Sequence, residues 1–433
     1  MDRASRTTRI PDRRVLRAGL TTVGLVGVSL ALAACGASPV ASSSASTTST
    51  QANTSSTPSG PGAIGFGSVP SGFSPSSGSF ISSNDTFVLG GVKCASARTG
   101  YCAELAKSTD KGQSWVAVPM NGINLVPRFS TSPSSASYTG VSQVRFAGTS
   151  IGFAFDPGLW VTTDGGATWI QASVKGLASV GTSYAVTSLE IANGNAGAIV
   201  APRTGSGATY LITANLATAP TAFRLQSVPM TLGVGSIFFQ NSLGKLITDA
   251  AASSGSTFFQ PAGTSTWDGI SPPCTANNAG APNISAVGSL FNPGTAPDGL
   301  VMGCNLGAAA GSSQKAVNVS SNAGATWKVL GAPPMAGDLQ AVAAGSAKNV
   351  AVAAVSGASF IYTTTNGGAT WSTFRFGNNP LGAGGIPLFD LGYTNATQAF
   401  VIIGSPGDTA NGTTPSAMYL TTNAGSTWSE INF

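Results

Sequence analysis

Five short stretches of the chain obey one rule, [ST]-x-[DN]-x-G-x-[ST]-W. They are STDKGQSW from Ser108 to Trp115, TTDGGATW from Thr162 to Trp169, SSNAGATW from Ser320 to Trp327, TTNGGATW from Thr364 to Trp371 and TTNAGSTW from Thr421 to Trp428. Each fixed position has a physical reason. The Asp or Asn (Asp110, Asp164, Asn322, Asn366, Asn423) accepts hydrogen bonds from backbone N–H groups roughly two residues on, closing an Asx-type turn. The glycine two places later (Gly112, Gly166, Gly324, Gly368, Gly425) takes a positive φ that a Cβ would resist. The Ser and Thr hydroxyls bond the same loop. The tryptophan (Trp115, Trp169, Trp327, Trp371, Trp428) opens the next strand and buries a large ring, its N–H needing one acceptor. The unit is strand, pinned turn, strand: a staple for a hairpin, with no group in it placed for chemistry.

The spacing turns a local device into an architecture. Degenerate versions of the turn end at Phe223 (TANLATAPTAF) and Trp267 (PAGTSTW). The aromatic closers then fall at 115, 169, 223, 267, 327, 371 and 428, with gaps of 54, 54, 44, 60, 44 and 57. A regular period of this length over seven units marks a propeller or an array. Each unit also divides into four short strands, as in VSQVRFAG, IGFAFD, GLWVTT and TWIQAS between Val141 and Ser173. Four-stranded sheets repeated radially are propeller blades. The expected fold is all-β: a seven-bladed β-propeller of four-stranded antiparallel blades, running from about Phe73 to Phe433.

These turns resemble those of the Asp-box (BNR-repeat) propellers, found in sialidases, sortilin-type receptors, xyloglucan-cleaving glycosidases and the photosystem II assembly factor. The resemblance covers the whole domain after the leader. It implies the fold and a structural role for the boxes, which in that family lie away from the ligand face.

The start of the chain gives an address. Its first 17 residues hold six arginines against two aspartates, and an uncharged run, AGLTTVGLVGVSLALAA, follows from Ala18 to Ala34. A basic region, an apolar region and small residues before a cleavage point make an export signal. Leu32-Ala33-Ala34-Cys35-Gly36 resembles the bacterial lipobox, which implies lipidation of Cys35 as the mature N-terminus. Arg13-Arg14 hints at the twin-arginine route, although the residues after it match poorly. The stretch from Ala37 to Gly62 is nearly all Ser, Thr, Ala, Gly and Pro, and cannot bury enough surface to fold. The expected organisation is a lipoprotein signal peptide at 1–34, the lipidated cysteine with a Ser/Thr-rich tether at 35–70, and the propeller at 71–433. The address is the outer face of the cytoplasmic membrane, where a tether of this length reaches on the order of 30 Å.

Composition excludes several functions. Beyond the leader 14 cationic side chains face 13 acidic ones, a net charge of +1, so nothing calls for nucleic acid. There is no histidine, which removes Ser-His-Asp and Cys-His catalysis and histidine metal sites. No metal or cofactor is expected. The four cysteines other than Cys35 are expected to pair as Cys94–Cys102 and Cys274–Cys304; neither pair has the CxxC spacing of a redox or metal site.

Function is expected on the rim opposite the boxes. In a four-stranded blade the 1–2 and 3–4 turns share one rim, and the 2–3 loops and inter-blade links share the other. The longest loops are Val92–Tyr101, Met120–Thr139, Pro202–Ala208, Ala250–Ser256, Asn305–Lys315 and Ser405–Ser416. They hold Arg98, Arg128, Arg203 and Asp408, with Asp156 and Asp249 nearby, and these six form the candidate ligand face. The preferred reading is a non-enzymatic binding or assembly module whose partner is an envelope protein or glycan. The alternative is a sialidase-like glycoside hydrolase. The resemblance implies three arginines, a Tyr–Glu pair and an acid Asp for that chemistry. Six arginines (Arg98, Arg128, Arg145, Arg203, Arg224, Arg375) and three glutamates (Glu104, Glu190, Glu430) remain after the leader, and no such set stands out. The family's Arg-Ile-Pro signature occurs once, at Arg9-Ile10-Pro11, inside the leader.

Overall fold

A computed structural model describes residues 67–433 except 96, 98–99, 127–139, 178–179, 181–182, 204–206, 234–235, 250–256, 272, 275–282, 291–298, 310, 377–387, 405 and 407–415; side chains are not described at 249, 283–290, 308–309 and 388–389. The described elements are all strands, and they form seven consecutive antiparallel blades. Blade 1 contains Ser74–Phe80, Thr86–Lys93, Tyr101–Ser108 and Val116–Asn124. Blade 2 contains Gln143–Phe146, Gly152–Phe155, Leu159–Thr162 and Ile170–Gln171, and blade 3 Tyr184–Ala192, Asn195–Pro202, Tyr210–Asn215 and Ala222–Gln226. Blade 4 contains Ser236–Asn241, Gly244–Asp249, Thr257–Pro261 and Asp268–Ile270, and blade 5 Asn283–Leu290, Gly299–Ala309, Ser312–Ser320 and Lys328–Val329. Blade 6 contains Asp338–Ala344, Val350–Val355, Ser359–Thr364 and Ser372–Phe376, and blade 7 Leu388–Tyr393, Ala399–Ile403, Ala417–Thr421 and Ser429–Glu430.

The packing follows from stacking sheets face to face. A strand in the middle of a blade is covered on both faces, so it reads as a continuous apolar run instead of an alternation. Val350–Val355 (VAVAAV) and Ala399–Ile403 (AFVII) are of this kind, buried along almost their whole length. The fourth strands lie far from the axis and leave Ile170, Leu225 and Val329 exposed. Among the described residues the hydrophobic core divides into seven clusters, one at each seam between blades. First strands of neighbouring blades touch, so they line the central axis. Between blades 5 and 6 the contact includes one parallel pairing, Leu290 with Ala344.

The ring closes through side chains. Blades 1 and 7 each complete their own four strands, and among the described residues no strand is exchanged between them. Phe80 of blade 1 stacks on Phe400 of blade 7 with ring centroids 3.5 Å apart, and Phe433 packs on Phe73 and Trp115. Gly67–Ser68 pairs antiparallel with Val116–Ala117 and adds a fifth, outermost strand to blade 1. Ser173–Lys175 does the same for blade 3, in parallel with Ala222–Arg224.

Two expected loops are shorter than their sequences imply. The fourth strand of blade 1 continues to Asn124, so it takes up the first part of Met120–Thr139. Asn305–Lys315 is mostly strand: Gly299–Ala309 and Ser312–Ser320 pair up to Ala309 opposite Ser312, with Gly311 at φ +82° in the turn. The glycine and alanine content suggested a loop, but the ladder continues through it.

Candidate functional site

The five turns occupy the 3–4 position of blades 1, 2, 5, 6 and 7. Their geometry repeats. In blade 6, Thr364 Oγ1 donates to Asn366 Oδ1 at 2.9 Å and accepts from the N–H of Gly368 at 2.9 Å. Asn366 Oδ1 accepts from the N–H of Thr370 at 3.0 Å, while Asn366 Nδ2 donates to Thr370 Oγ1 at 2.8 Å. The Asx carbonyl therefore reaches four residues ahead, further than an ordinary Asx turn, because the initial hydroxyl already holds the glycine amide between them. All five glycines have positive φ, from 78° at Gly112 to 96° at Gly166. At Asp110 the donors Ser114 and Ser108 hold the carboxyl down at about 2.

The tryptophans behave less uniformly than expected. Trp115 Nε1 donates to Gly112 O and Trp371 Nε1 to Gly331 O, each at 3.1 Å. The buried indole nitrogens of Trp169, Trp327 and Trp428 meet no acceptor among the described residues. Their rings are placed by packing: Trp169 stands edge-on to Phe146, with centroids 6.2 Å apart. Burial of the ring outweighs the desolvation of one unpaired N–H, about 1–3 kcal/mol.

Both expected disulfides form. Cys94–Cys102 closes the 2–3 loop of blade 1. Cys274–Cys304 ties the link between blades 4 and 5 to the second strand of blade 5.

Of the candidate rim residues, Asp156, Arg203 and Asp249 fall at the 2–3 loops of three successive blades, 2, 3 and 4. Asp156 sits at φ +66° before Pro157 and accepts from Ser142 Oγ at 2.7 Å and Gln143 Nε2 at 3.2 Å, which holds its loop against its own blade. The Arg203 N–H donates to Ser183 O, joining its loop to the blade 2–3 link. Asp249 ends the second strand of blade 4. Arg98, Arg128 and Asp408 lie outside the described residues, as do Cys35, the leader and most of the tether.

The structure brings together a set that the sequence did not single out. Arg145 of blade 2 reaches past blade 1 to Asp390 of blade 7, Nη2 to Oδ1 at 3.2 Å. Asp390 Oδ2 also accepts from Ser77 Oγ at 2.6 Å and from the N–H of Gly78 at 3.1 Å. Arg145 Nη1 donates to Val144 O at 2.8 Å and to Ser77 Oγ at 3.3 Å, and the guanidinium lies 5.9 Å from the Phe155 ring centre. The buried serines of SPSSGSF complete the tie: Ser76 Oγ donates to Ser142 O, and Ser77 Oγ and Ser79 Oγ accept from the amides of Val144 and Phe146. One ion pair and three serines thus fasten blades 7, 1 and 2 at the axis.

Glu190, on the first strand of blade 3, faces this pair. Its carboxylate has no hydrogen-bond partner among the described residues. Burial pushes it up to about 7; the Arg145 cation, shared with Asp390, opposes the rise only in part, and the Asp390 carboxylate adds to it. Chemically the cluster offers one carboxyl group that exchanges its proton near neutrality and one ion pair committed to holding the ring. The other described arginines do not join it. Arg224 and Arg375 lie on the fourth strands of blades 3 and 6, away from the axis, and Arg203 lies on the rim.

A second buried cation performs the same mechanical task between blades 5 and 6. Lys315 Nζ donates to four backbone carbonyls, those of Ser313, Pro334, Met335 and Ala336, at 2.8 to 3.2 Å. Tyr362 presents its ring 5.7 Å away and donates its hydroxyl to Ala336 O. Burial pulls the ammonium down to about 8, with Asp338 opposing.

Taken together, the blades, seams and axis define the class as a seven-bladed β-propeller. No family model and no curated protein matches the chain. Among solved structures it is similar to YCF48 from Cyanidioschyzon merolae, at 16% identity over 83% of this chain and 98% of that one, with a TM-score of 0.48. It is similar also to YCF48 bound to D1 peptide, at 18% identity over 83% and 99%, TM-score 0.47. The GH74 enzyme of Niastella koreensis matches at 16% identity over 82% and 65%, TM-score 0.36. At these identities the likeness is one of fold.

Proposed function

We propose that this propeller is an exported, lipid-anchored binding module that engages its partner through the 2–3 rim and carries out no chemistry of its own. The observation that carries this reading is the dispersal of the described arginines. A sialidase-like site gathers three of them on a substrate carboxylate, whereas Arg145 is committed to Asp390 and Arg224 and Arg375 stand on fourth strands away from the axis. The box-like turns use up their polar groups on themselves, in keeping with a structural role like that of the Asp-box repeats they resemble. The lipobox-like Cys35 and the uncharged tether support the anchored address, and Asp156 and Arg203 stand at neighbouring 2–3 loops on the rim assigned to a protein or glycan partner.

The test is site-specific photo-crosslinking in the producing cell, with the probe placed at Arg203 or, as the control, at Lys111 in the first box-like turn. Capture of one defined protein from the Arg203 site and none from Lys111 is the expected result. Wall glycan alone, together with glycoside turnover that Glu190→Gln abolishes, would replace the binding reading with a hydrolase. Labelled fatty acid should enter the wild type and not Cys35→Ala.

A further inference from the structure

Blades 3 and 4 enclose a cavity of about 220 Å³ on the rim of the 1–2 and 3–4 turns, opposite the face assigned above. Its wall is unusual in chemistry. Five amide side chains line it: Asn193 and Asn195 from the first hairpin of blade 3, and Gln240, Asn241 and Gln260 from blade 4. Lys245 is the only charged residue of the lining, and Ala192, Pro261 and Ala262 supply an apolar patch. No carboxylate is present.

The cavity exists where a turn has lost its plug. In the five intact turns the residue seven places before the tryptophan is Ser or Thr and the one five before is Asp or Asn, and they bond each other. In blade 4 the tryptophan is Trp267, and these positions are Gln260 and Ala262. Ala262 has no side-chain acceptor. Gln260, only 5% exposed, turns instead to Gln226, whose Nε2 donates to Gln260 Oε1 at 2.9 Å. The glutamine's Nε2 is left with no hydrogen-bond partner among the described residues. Gly244 lets the wall close up, since a Cβ there would strike Gln260 O.

The amides are held, so their free atoms have fixed directions. Gln240 Nε2 donates to Glu190 O at 2.6 Å and to Asn195 O at 2.9 Å. Asn241 Nδ2 donates to Gly299 O at 2.9 Å and its Oδ1 accepts from the N–H of Leu243 at 3.0 Å. Asn193 Nδ2 donates to Asn241 O and Ser242 O, each at 3.1 Å. Gln240, Asn193 and Asn195 each keep a side-chain oxygen unbonded among the described residues. Lys245 spends one donor on Gln226 Oε1 at 3.0 Å.

We infer that this cavity binds one uncharged sugar ring of a glycan. An amide offers a donor and an acceptor side by side, and a sugar hydroxyl both gives and takes a hydrogen bond. Fixed acceptors at Asn193, Asn195 and Gln240, with donors at Gln260 and Lys245, suit a ring carrying several hydroxyls. The apolar patch suits its C–H face. A single ammonium, already bonded to an amide oxygen, provides too little charge to demand an anion. The volume corresponds to roughly seven waters at about 30 Å³ each, room for one ring and not for two.

The test uses the full chain in a detergent without a sugar headgroup. Methyl glycosides of glucose, galactose, mannose and N-acetylglucosamine are titrated by saturation-transfer NMR, with sodium phosphate and sodium acetate as charged probes. One glycoside is expected to bind in the millimolar range, and Gln260→Leu is expected to weaken it at least tenfold. Asn193→Gly should weaken it several-fold without harming the fold, because its φ of 50° suits glycine. Absence of binding by every glycoside, binding unchanged in both variants, or displacement by phosphate would overturn the assignment. Phosphate displacement would mark Lys245 as an anion site. Capture at the opposite rim is read separately, so either proposal can fail alone.

Discussion

Glu190 makes the axis of the ring sensitive to pH in a direction opposite to that of most carboxylates. An acid paired with a cation stabilises a fold as it ionises. Glu190 ionises inside the ring, against Asp390, with its only nearby cation already engaged, so its ionisation opposes folding. Its ordinary value is 4.5 and the folded value is about 7. Each tenfold change in proton affinity is about 1.36 kcal/mol, so the ionised native state is destabilised by up to about 3 kcal/mol. Between these two pH values the native state holds the proton and the unfolded chain has lost it. Stability contributed by this group is therefore complete below pH 4.5, falls as pH rises and is gone above pH 7. Glu190→Gln keeps the shape and removes the charge. Urea unfolding followed by tryptophan fluorescence should show wild type and variant alike at pH 4.5, and the variant more stable by about 3 kcal/mol at pH 8. Taking the difference between the two proteins cancels the titrating groups that do not interact with Glu190. Equal stability at both pH values, or a less stable variant at pH 8, would refute the account of the axial cluster.

Other outcomes follow from the same geometry. Lys315→Met removes a donor shared by four backbone carbonyls, of which Met335 O keeps the Ser313 N–H and Ala336 O keeps the Tyr362 hydroxyl, and should lower the unfolding free energy by about 1–3 kcal/mol, measured at pH 7. Because burial holds Lys315 down at about 8, wild type should also gain stability relative to that variant as pH rises from 8 toward 10.5. Thr364→Ala removes the hydroxyl that ties Asn366 to Gly368 and should cost about 1–2 kcal/mol, seen as a lower denaturation midpoint. Gly425→Ala should cost more than the usual substitution at positive φ, since the added methyl would meet Thr363 as well as an unfavourable φ of 87°; thermal unfolding is the assay.

The architecture was legible in the sequence because it rests on short-range chemistry. A turn such as TTNGGATW bonds only within itself, so its residues appear together on the page, and the spacing of its copies counted the blades. The Cys94–Cys102 pairing, only 8 residues apart, was legible for the same reason, and with it formed Cys274 and Cys304 were the pair left over. The axial cluster was not. Arg145 and Asp390 are 245 positions apart, each sits alone in an apolar first strand, and nothing local marks either one. Glu190 was visible only as one of three glutamates after the leader, and its altered proton affinity depends on which blades meet at the axis. The cavity between blades 3 and 4 was hidden differently. The turn ending at Trp267 read as a damaged staple, and the amides that line the resulting space come from two hairpins whose approach is set by the ring. Loop length was misjudged at Asn305–Lys315 because glycine and alanine resemble a linker when the partner strand is not in view.

The closure of the ring by serines and an ion pair, with every blade drawn from one contiguous stretch of chain, has a consequence for synthesis. In a propeller that shares a strand between its ends, one blade must wait unpaired until the last residues emerge. Here each sheet can complete its ladder as soon as its fourth strand leaves the ribosome. No hydrogen-bonding edge is held open for a distant partner, which removes a principal route to misassembly in large β proteins. The last event is then the docking of blade 7 onto a finished blade 1, where Asp390 meets Ser77 and Arg145 and Phe400 meets Phe80.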